Sequence, residues 1–379
     1  MNNLINDPYL NDLKYFSDKL NYFLDSELYE ILYEDNKDIQ AILQKYLIQT
    51  ARSSFSTQAK RIRPMLCYWL FRNFYLEGNF SEKLSNIKQS EKKIFEKMNK
   101  VAITIEILHS ASLVVDDIED DSKERRGQES LHVKYGMPQA LNTANWMYFL
   151  ALKYVPQNLK SIVMDTLFDC HIGQALDLSS KNTETTYHHF LLSENERWQF
   201  YERCAELKTS KLISLAFDCA KKLLNINKND IIILENVFKI YGIIYQIFDD
   251  IKNFIPELNR DKLYEDLNSG MRSAVVLSFL DILNEDEKIQ MNNELINNCF
   301  KEYFLNHAKK FHAFEKCFYK ASYLLHLNSI QLDSIHFNKD SREYLSEIIE
   351  KPFDEIKKKI FSMIHLKYNK SIVKENYAL

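Results

Sequence analysis

The chain has 379 residues, 46% of them hydrophobic, enough for one large domain or two ordinary ones. Its 49 basic and 53 acidic residues leave a net charge of −4, which excludes a global attraction to nucleic acid or to an anionic membrane. Only 6 Gly and 6 Pro punctuate it, too few for a turn-rich β protein, so the composition predicts long helices joined by short loops.

Residues 1–50 read as an amphipathic helical extension, with Leu20, Phe23, Leu24, Leu28, Ile31 and Leu32 at helical spacing. The first twenty residues are mixed polar and acidic, unlike a secretory or transit leader. Residues 52–58 form a polar break, after which Pro64 sits near a helix start, where a missing N–H costs nothing. Residues 78–100 are rich in Ser, Lys and Glu and read as a solvated loop with a charged helix. Further helices are predicted over 101–120, 138–155, 160–178, 195–224, 229–254, 272–284, 286–300 and 341–366, with a polar connection at 182–193. No Asn-Gly or Asp-Gly turn separates alternating runs, so hairpins are not expected. The most apolar stretch, 231–248, is interrupted by Glu235, Asn236 and Lys239 and reads as a core helix, not a membrane span. Cys67, Cys170, Cys204, Cys219, Cys299 and Cys317 lack paired spacing and read as free thiols of a reducing, cytoplasmic compartment. The expected architecture is a single all-α domain: a core over 51–300, the extension 1–50, and a C-terminal helical segment 301–379 packed on the core.

Two acidic clusters break this pattern. Asp116-Asp117-Ile118-Glu119-Asp120-Asp121 and Asp249-Asp250-Ile251-Lys252-Asn253 each follow an apolar helical run. Residues four apart share a helix face, so Asp116 stacks over Asp120 and Asp249 over Asn253. Massed carboxylates at the end of an apolar helix repel one another unless a cation sits among them, and a hard divalent metal suits oxygen ligands. An EF-hand is rejected, because a loop starting at Asp117 puts Ser122 and Gln128 where Gly and Glu belong. A solvated acidic turn stays open for either cluster alone. Basic residues keep them company: Lys60-Arg61-Ile62-Arg63, Arg125-Arg126-Gly127 and Lys208-Thr209. Each basic group alone reads as a surface patch. Together, acids for metal and Arg or Lys for phosphate describe a site for a Mg2+-diphosphate substrate.

At this point a family resemblance emerges. The stretch from Leu108-His109-Ser110 through Asp116-Asp117-Ile118-Glu119-Asp120 to Arg125-Arg126-Gly127 resembles the first aspartate-rich motif of trans-isoprenyl diphosphate synthases. The continuation Tyr135-Gly136 to Asn142-Thr143-Ala144-Asn145 resembles eukaryotic-type geranylgeranyl diphosphate synthases in particular. Gly173-Gln174-Ala175-Leu176-Asp177, Lys208-Thr209 and Gln246-Ile247-Phe248-Asp249-Asp250 match in order, and the whole resemblance spans roughly residues 55–280. It implies an all-α isoprenoid synthase fold with a central cavity, two aspartate motifs facing across it, and a homodimer. Carried over by motif, Asp116, Asp120 and Asp249 ligate Mg2+, three ions per active site, with Asp117 and Asp250 in support. Arg125, Lys208, Thr209, Gln246 and Lys262 meet the allylic diphosphate. Lys60, Arg63, His109 and Arg126 hold isopentenyl diphosphate. The implied reaction ionises the allylic C–O bond and joins the cation to the isopentenyl alkene, with a proton lost to the released diphosphate.

Ala111 and Ser112 lie about one turn before Asp116, where shorter-product family members carry an aromatic. Small side chains there favour a product of at least twenty carbons, although they also serve close helix packing. The pattern departs from the family at three places. Ala59 replaces a Gly, Met271 stands where a Lys is usual with Arg272 beside it, and Lys262 is one residue out of step. Two alternatives follow. A terpene cyclase on the same fold would use Asp249, Asn253 and Glu257 as a metal triad, which Pro256 threatens. A non-catalytic regulatory subunit would have no need of intact aspartates in both motifs.

Overall fold

The computed structural model describes residues 7–55, 60–179, 192–258, 263–264, 266–267, 273–297 and 299–368. Helices carry nearly all the regular structure there, as the low Gly and Pro content requires. The chain forms two compact units, each threaded from three stretches: Met1–Asp169, Lys211–Phe238 and Asp333–Ile349 in the first, and Cys170–Ser210, Lys239–Leu332 and Glu350–Leu379 in the second.

In the first unit the Ile62–Phe74 helix is buried on nearly every side, from Pro64 through Arg72. A helix apolar all round must lie inside a protein, and this one packs against helices Pro8–Tyr22, Gln89–Glu119, Lys211–Leu223 and Lys339–Ile349. Trp69, fully buried, meets Phe74, Phe238 and Phe337 edge-on and donates its indole N–H to the Ser341 carbonyl at 3.1 Å. Arg72 grips Asp12 through two bonds of 2.8 and 2.7 Å, and the Tyr344 hydroxyl donates to the same carboxylate at 3.0 Å. The flanking segments of the sequence thus furnish partners for the core's one fully buried guanidinium among the described residues.

The Gln89–Glu119 helix runs 31 residues and starts twelve residues before the expected 101. Its polar first turns hid it, but Phe95 and Met98 continue the buried face, and the Glu91 carboxylate accepts the Lys88 N–H at 3.1 Å to close the first turn. It packs chiefly on Met137–Tyr154, through Val114, Ala140 and Ala144.

In the second unit the Glu194–Ala205 helix packs on Ala274–Ile282. Asp281, its side chain wholly buried, accepts from Arg197 at 2.7 Å, Trp198 at 2.8 Å and Lys316 at 3.1 Å. Phe248 stacks on Phe353 at 4.4 Å, and Phe279 meets Phe304 at 4.8 Å.

Several sequence expectations need correction. The unbroken helix over 195–224 is interrupted by a π-helical turn at Glu206–Ser210. The helix over 341–366 is broken between Ile349 and Asp354 by a short 3-10 turn containing Pro352, whose ring cannot continue a helix. The helix expected over 286–300 ends at Ile296, and a separate helix, Phe300–Asn306, follows. A small hairpin also forms, Glu124–Arg125 pairing antiparallel with Gln128–Glu129. Its turn residues, Arg126 and Gly127, have φ of 55° and 73°, the positive values a two-residue hairpin needs. An Arg in that position is invisible to a search for Asn-Gly or Asp-Gly. By length and composition alone the Lys228–Lys252 helix could cross a membrane, and half of that window is buried inside the protein.

Candidate active site

Both acidic motifs occupy the last turn of a long helix, Gln89–Glu119 and Lys228–Lys252. The helix dipole is already negative there, so carboxylates at that end raise the cost of the folded state and strengthen its pull on cations. The basic motif does the reverse. Lys60 and Arg63 flank the start of the Ile62–Phe74 helix, where the dipole is positive and suited to anions. Charge placed against the dipole at three helix ends is explained by a ligand, not by helix stability.

In the first unit, the helix closes behind the acids through a bond from the Ser122 N–H to the Asp117 carbonyl at 2.9 Å, with Asp121 left-handed at φ 52°. The side chains of Asp116 and Asp117 then differ sharply. Asp117 is buried and held by Arg125 through Nε and Nη2, both at 2.6 Å. Asp116 is half-buried and meets the same guanidinium at 3.1 Å. The hairpin exists where it can turn Arg125 back onto the helix end. Asp120 caps the helix, partly exposed. Of the two predicted metal-ligating carboxylates of this motif, Asp116 and Asp120, neither is enclosed as Asp117 is.

Nearby in the same unit, Arg63 Nη1 lies 3.4 Å from His109 Nε2. Burial, then the charges of Arg63, Arg126, Arg125 and Arg61, push the His109 pKa well below its usual 6.5, so the imidazole is neutral. Arg61, left-handed at φ 52°, is tied down by a buried ion pair with Glu106, which sequence reasoning had not singled out. Lys60 is exposed, and its carbonyl accepts from the Tyr9 hydroxyl at 3.5 Å. Ala111 is fully buried, while the Ser112 hydroxyl donates to the His109 carbonyl at 2.9 Å and so is spent on its own helix.

The second unit holds the other predicted residues. Lys208 and Thr209 ride on the π-helical turn, a geometry that often marks functional positions. That turn is wedged between two glycines. A Cβ on Gly173 would lie 2.8 Å from the Leu207 carbonyl carbon, and one on Gly242 would lie 2.5 Å from Ser210 Cβ. Lys208 Nζ reaches Asp177 at 2.5 Å, a partner the sequence placed in a matching motif without a role. The Thr209 hydroxyl bonds Gln246 Oε1 at 2.7 Å, and Gln246 Nε2 donates to Asp250 at 2.9 Å. Asp250 is buried and also accepts from the Tyr201 hydroxyl and the Ala274 N–H, both at 2.7 Å. Burial pushes its pKa up to about 7, against the pull of these three donors. Asp249 beside it points outward, its side chain 57% exposed, with Lys252 at 3.7 Å. Asp249 is the carboxylate offered outward, and Asp250 the one the protein keeps.

Asn253 lies past the end of this helix, buried, with its amide donated to Asp266 at 2.6 Å. Glu257 follows in a turn, so Asp249, Asn253 and Glu257 do not share a helical face as a cyclase triad requires. Lys262, Ala59, Met271 and Arg272 lie outside the described residues. Tyr201 is the functional neighbour that spacing missed, because it stands 49 positions from Asp250 and only packing unites them.

A model of the polyprenyl synthetase family matches residues 44–310, well over half the chain. The chain belongs to the polyprenyl synthetase family. Over 222 residues it is 30% identical to a geranylgeranyl pyrophosphate synthase of Dictyostelium discoideum, covering 56% of this chain and 69% of that one. Over 234 residues it is 32% identical to a copalyl diphosphate synthase of Talaromyces verruculosus, of which it spans only 22%. The solved geranylgeranyl pyrophosphate synthetase of Pyrococcus horikoshii aligns over 89% of this chain and 99% of that one, with TM-score 0.65 at 20% identity, so the fold is shared. The chain is a trans-isoprenyl diphosphate synthase by family, an all-α prenyl-transferring enzyme with the isoprenoid synthase fold, as its motifs led one to expect.

Proposed function

We propose that this synthase condenses isopentenyl diphosphate with allylic prenyl diphosphates in a Mg2+-dependent reaction, giving geranylgeranyl diphosphate or a longer product. The observation that carries the proposal is the crowd of guanidinium groups around neutral His109. Lys208 already supplies a cation for an allylic diphosphate. A second cationic cluster has a use only if a second diphosphate is bound, and a cyclase takes just one.

Asp116, Asp120 and Asp249 would hold Mg2+. Among the described residues no three His, Cys, Asp or Glu side chains converge as a ready cage. That suits Mg2+, which takes one or two carboxylates and completes its shell with water and substrate phosphate oxygens. The bound metal would neutralise charge on the departing diphosphate. The protein's own groups do the rest. Arg125 and Lys208 each offer directed N–H donors suited to diphosphate charge, and such donors let the allylic C–O bond ionise. Arg63, Arg126, Lys60 and neutral His109 orient isopentenyl diphosphate so that its alkene attacks the cation, and the proton leaves to the released diphosphate. Ala111, with no side chain beyond Cβ, favours a product of at least twenty carbons over a shorter one. Exposed Leu141 and Phe149 on one helix, and Met164 and Phe168 on another, support a homodimer covering these apolar side chains.

The test is an assay with Mg2+, radiolabelled isopentenyl diphosphate and each of three allylic diphosphates. Chain-extended diphosphates are expected. A hydrocarbon or alcohol formed from the allylic substrate alone would make the protein a cyclase, and silence with every primer would make it a regulatory subunit.

A further inference from the structure

Four side chains of the second unit form one directed line: Tyr201, Asp250, Gln246 and Thr209. Its direction is set at one end by a group that cannot change. The Ala274 backbone N–H donates to Asp250 Oδ2 at 2.7 Å, and a backbone amide can only donate. The Tyr201 hydroxyl donates to the same oxygen. In its ionised form Asp250 therefore presents a pure acceptor, Oδ1, to Gln246, which turns its NH2 that way at 2.9 Å. The Gln246 carbonyl is then left facing Thr209, whose hydroxyl hydrogen must be spent on it at 2.7 Å. Thr209 is left able only to accept. Without the carboxylate, nothing in this line would decide which way the Gln246 amide or the Thr209 hydroxyl points.

We infer that Asp250 is a positioning residue that fixes the hydrogen-bond polarity of Gln246 and Thr209, acting from a buried seat supported by Tyr201 and the Ala274 N–H. This rests on the prenyl transfer proposed above, since Thr209 and Gln246 are the groups placed at the allylic substrate. Replacing the carboxylate by an amide reverses the line. In Asp250→Asn the oxygen stays with Tyr201 and Ala274, the new NH2 faces Gln246, the Gln246 amide flips, and Thr209 must turn its hydrogen outward. In Gln246→Glu two carboxylates face one another. In Asp250→Asn/Gln246→Glu the Thr209 hydroxyl again donates to residue 246, while the bond between positions 246 and 250 runs the other way and the negative charge sits one step along the line.

The experiment measures kcat and KM for transfer, and the thermal unfolding midpoint, for wild type, both single variants and the double. Each single variant is expected to lose about tenfold in kcat, the effect of one misdirected buried hydrogen bond, and to unfold earlier. The double is expected to lose less kcat than the product of the two single losses, and to melt later than the worse single, since the hydrogen-bond count and the Thr209 bond to residue 246 return. In a Thr209→Val background Asp250→Asn is expected to cost less than about twofold further, because the line has lost its end. A double variant no better than the product of the singles overturns the inference, as does a full Asp250→Asn penalty on kcat in the Thr209→Val background. If wild type transfers nothing from any primer, the proposed function fails, and with it any part Asp250 plays in transfer. The midpoints then still decide the hydrogen-bond direction: a double that melts no later than the worse single overturns it.

Discussion

Asp116 and Asp117 are adjacent in sequence and identical in chemistry, yet the fold gives them opposite tasks. Asp117 is enclosed and clamped by Arg125, while Asp116 remains open on the helix end. Asp117→Asn should therefore lower stability by about 1–3 kcal/mol, because it strands a charged donor. Asp116→Asn should cost under about 1 kcal/mol in stability and abolish transfer. Urea unfolding and the transfer assay on both variants check this contrast. His109 yields a pH prediction. Its folded-state pKa lies below the usual 6.5, so the unfolded chain takes up the extra proton. Stability then falls as pH drops below 6.5, by about 1.4 kcal/mol per pH unit until the folded imidazole also titrates. Urea unfolding of wild type and His109→Gln at pH 7.5, 6 and 5 should show the gap closing or inverting toward acid. At this scale the sequence displayed the acids, because four-residue spacing maps directly onto a helix face. It could not show that Arg125 turns back onto Asp117, or that Tyr201 reaches Asp250, because those meetings depend on a turn and on packing between distant segments.

The helices were legible wherever apolar residues kept a 3.6-residue period, and the breaks were not. A π-helical turn adds one residue without changing composition, so the 195–224 pattern looked continuous while Glu206–Ser210 departed from it. What holds that turn is the bareness of Gly173 and Gly242. Gly173→Ala is expected to push against the Leu207–Lys208 backbone, which cannot yield as a side-chain tip can. The expected cost is about 1–3 kcal/mol in stability together with a fall in kcat, as Lys208 and Thr209 shift. Thermal denaturation and steady-state kinetics of the variant test it. Stability loss with unchanged kinetics would sink the link between the glycine and the site.

At the scale of the molecule, the first unit is closed by groups from both ends of the described chain. Arg72 and Asp12 are each about 1% exposed, with Tyr344 on the same carboxylate. Asp12→Ala leaves a guanidinium buried with its main partner gone, an expected loss of about 3–5 kcal/mol. Chemical denaturation would measure it, and a loss below 1 kcal/mol would show that the carbonyls of Asn79 and Glu82 suffice for Arg72. Length and composition could not reveal this closure, since nothing in a local pattern pairs residue 12 with residue 344.

The bond between Trp69 and Ser341 spans 272 positions. On a ribosome adding ~5–20 residues each second, the indole would wait roughly 15–55 s for its acceptor to be made. Through that interval the most buried helix of the unit has no finished home. The Trp69 N–H becomes satisfied only once residue 341 has been made, so a stall before residue 333 would leave this core exposed to other chains and to proteases.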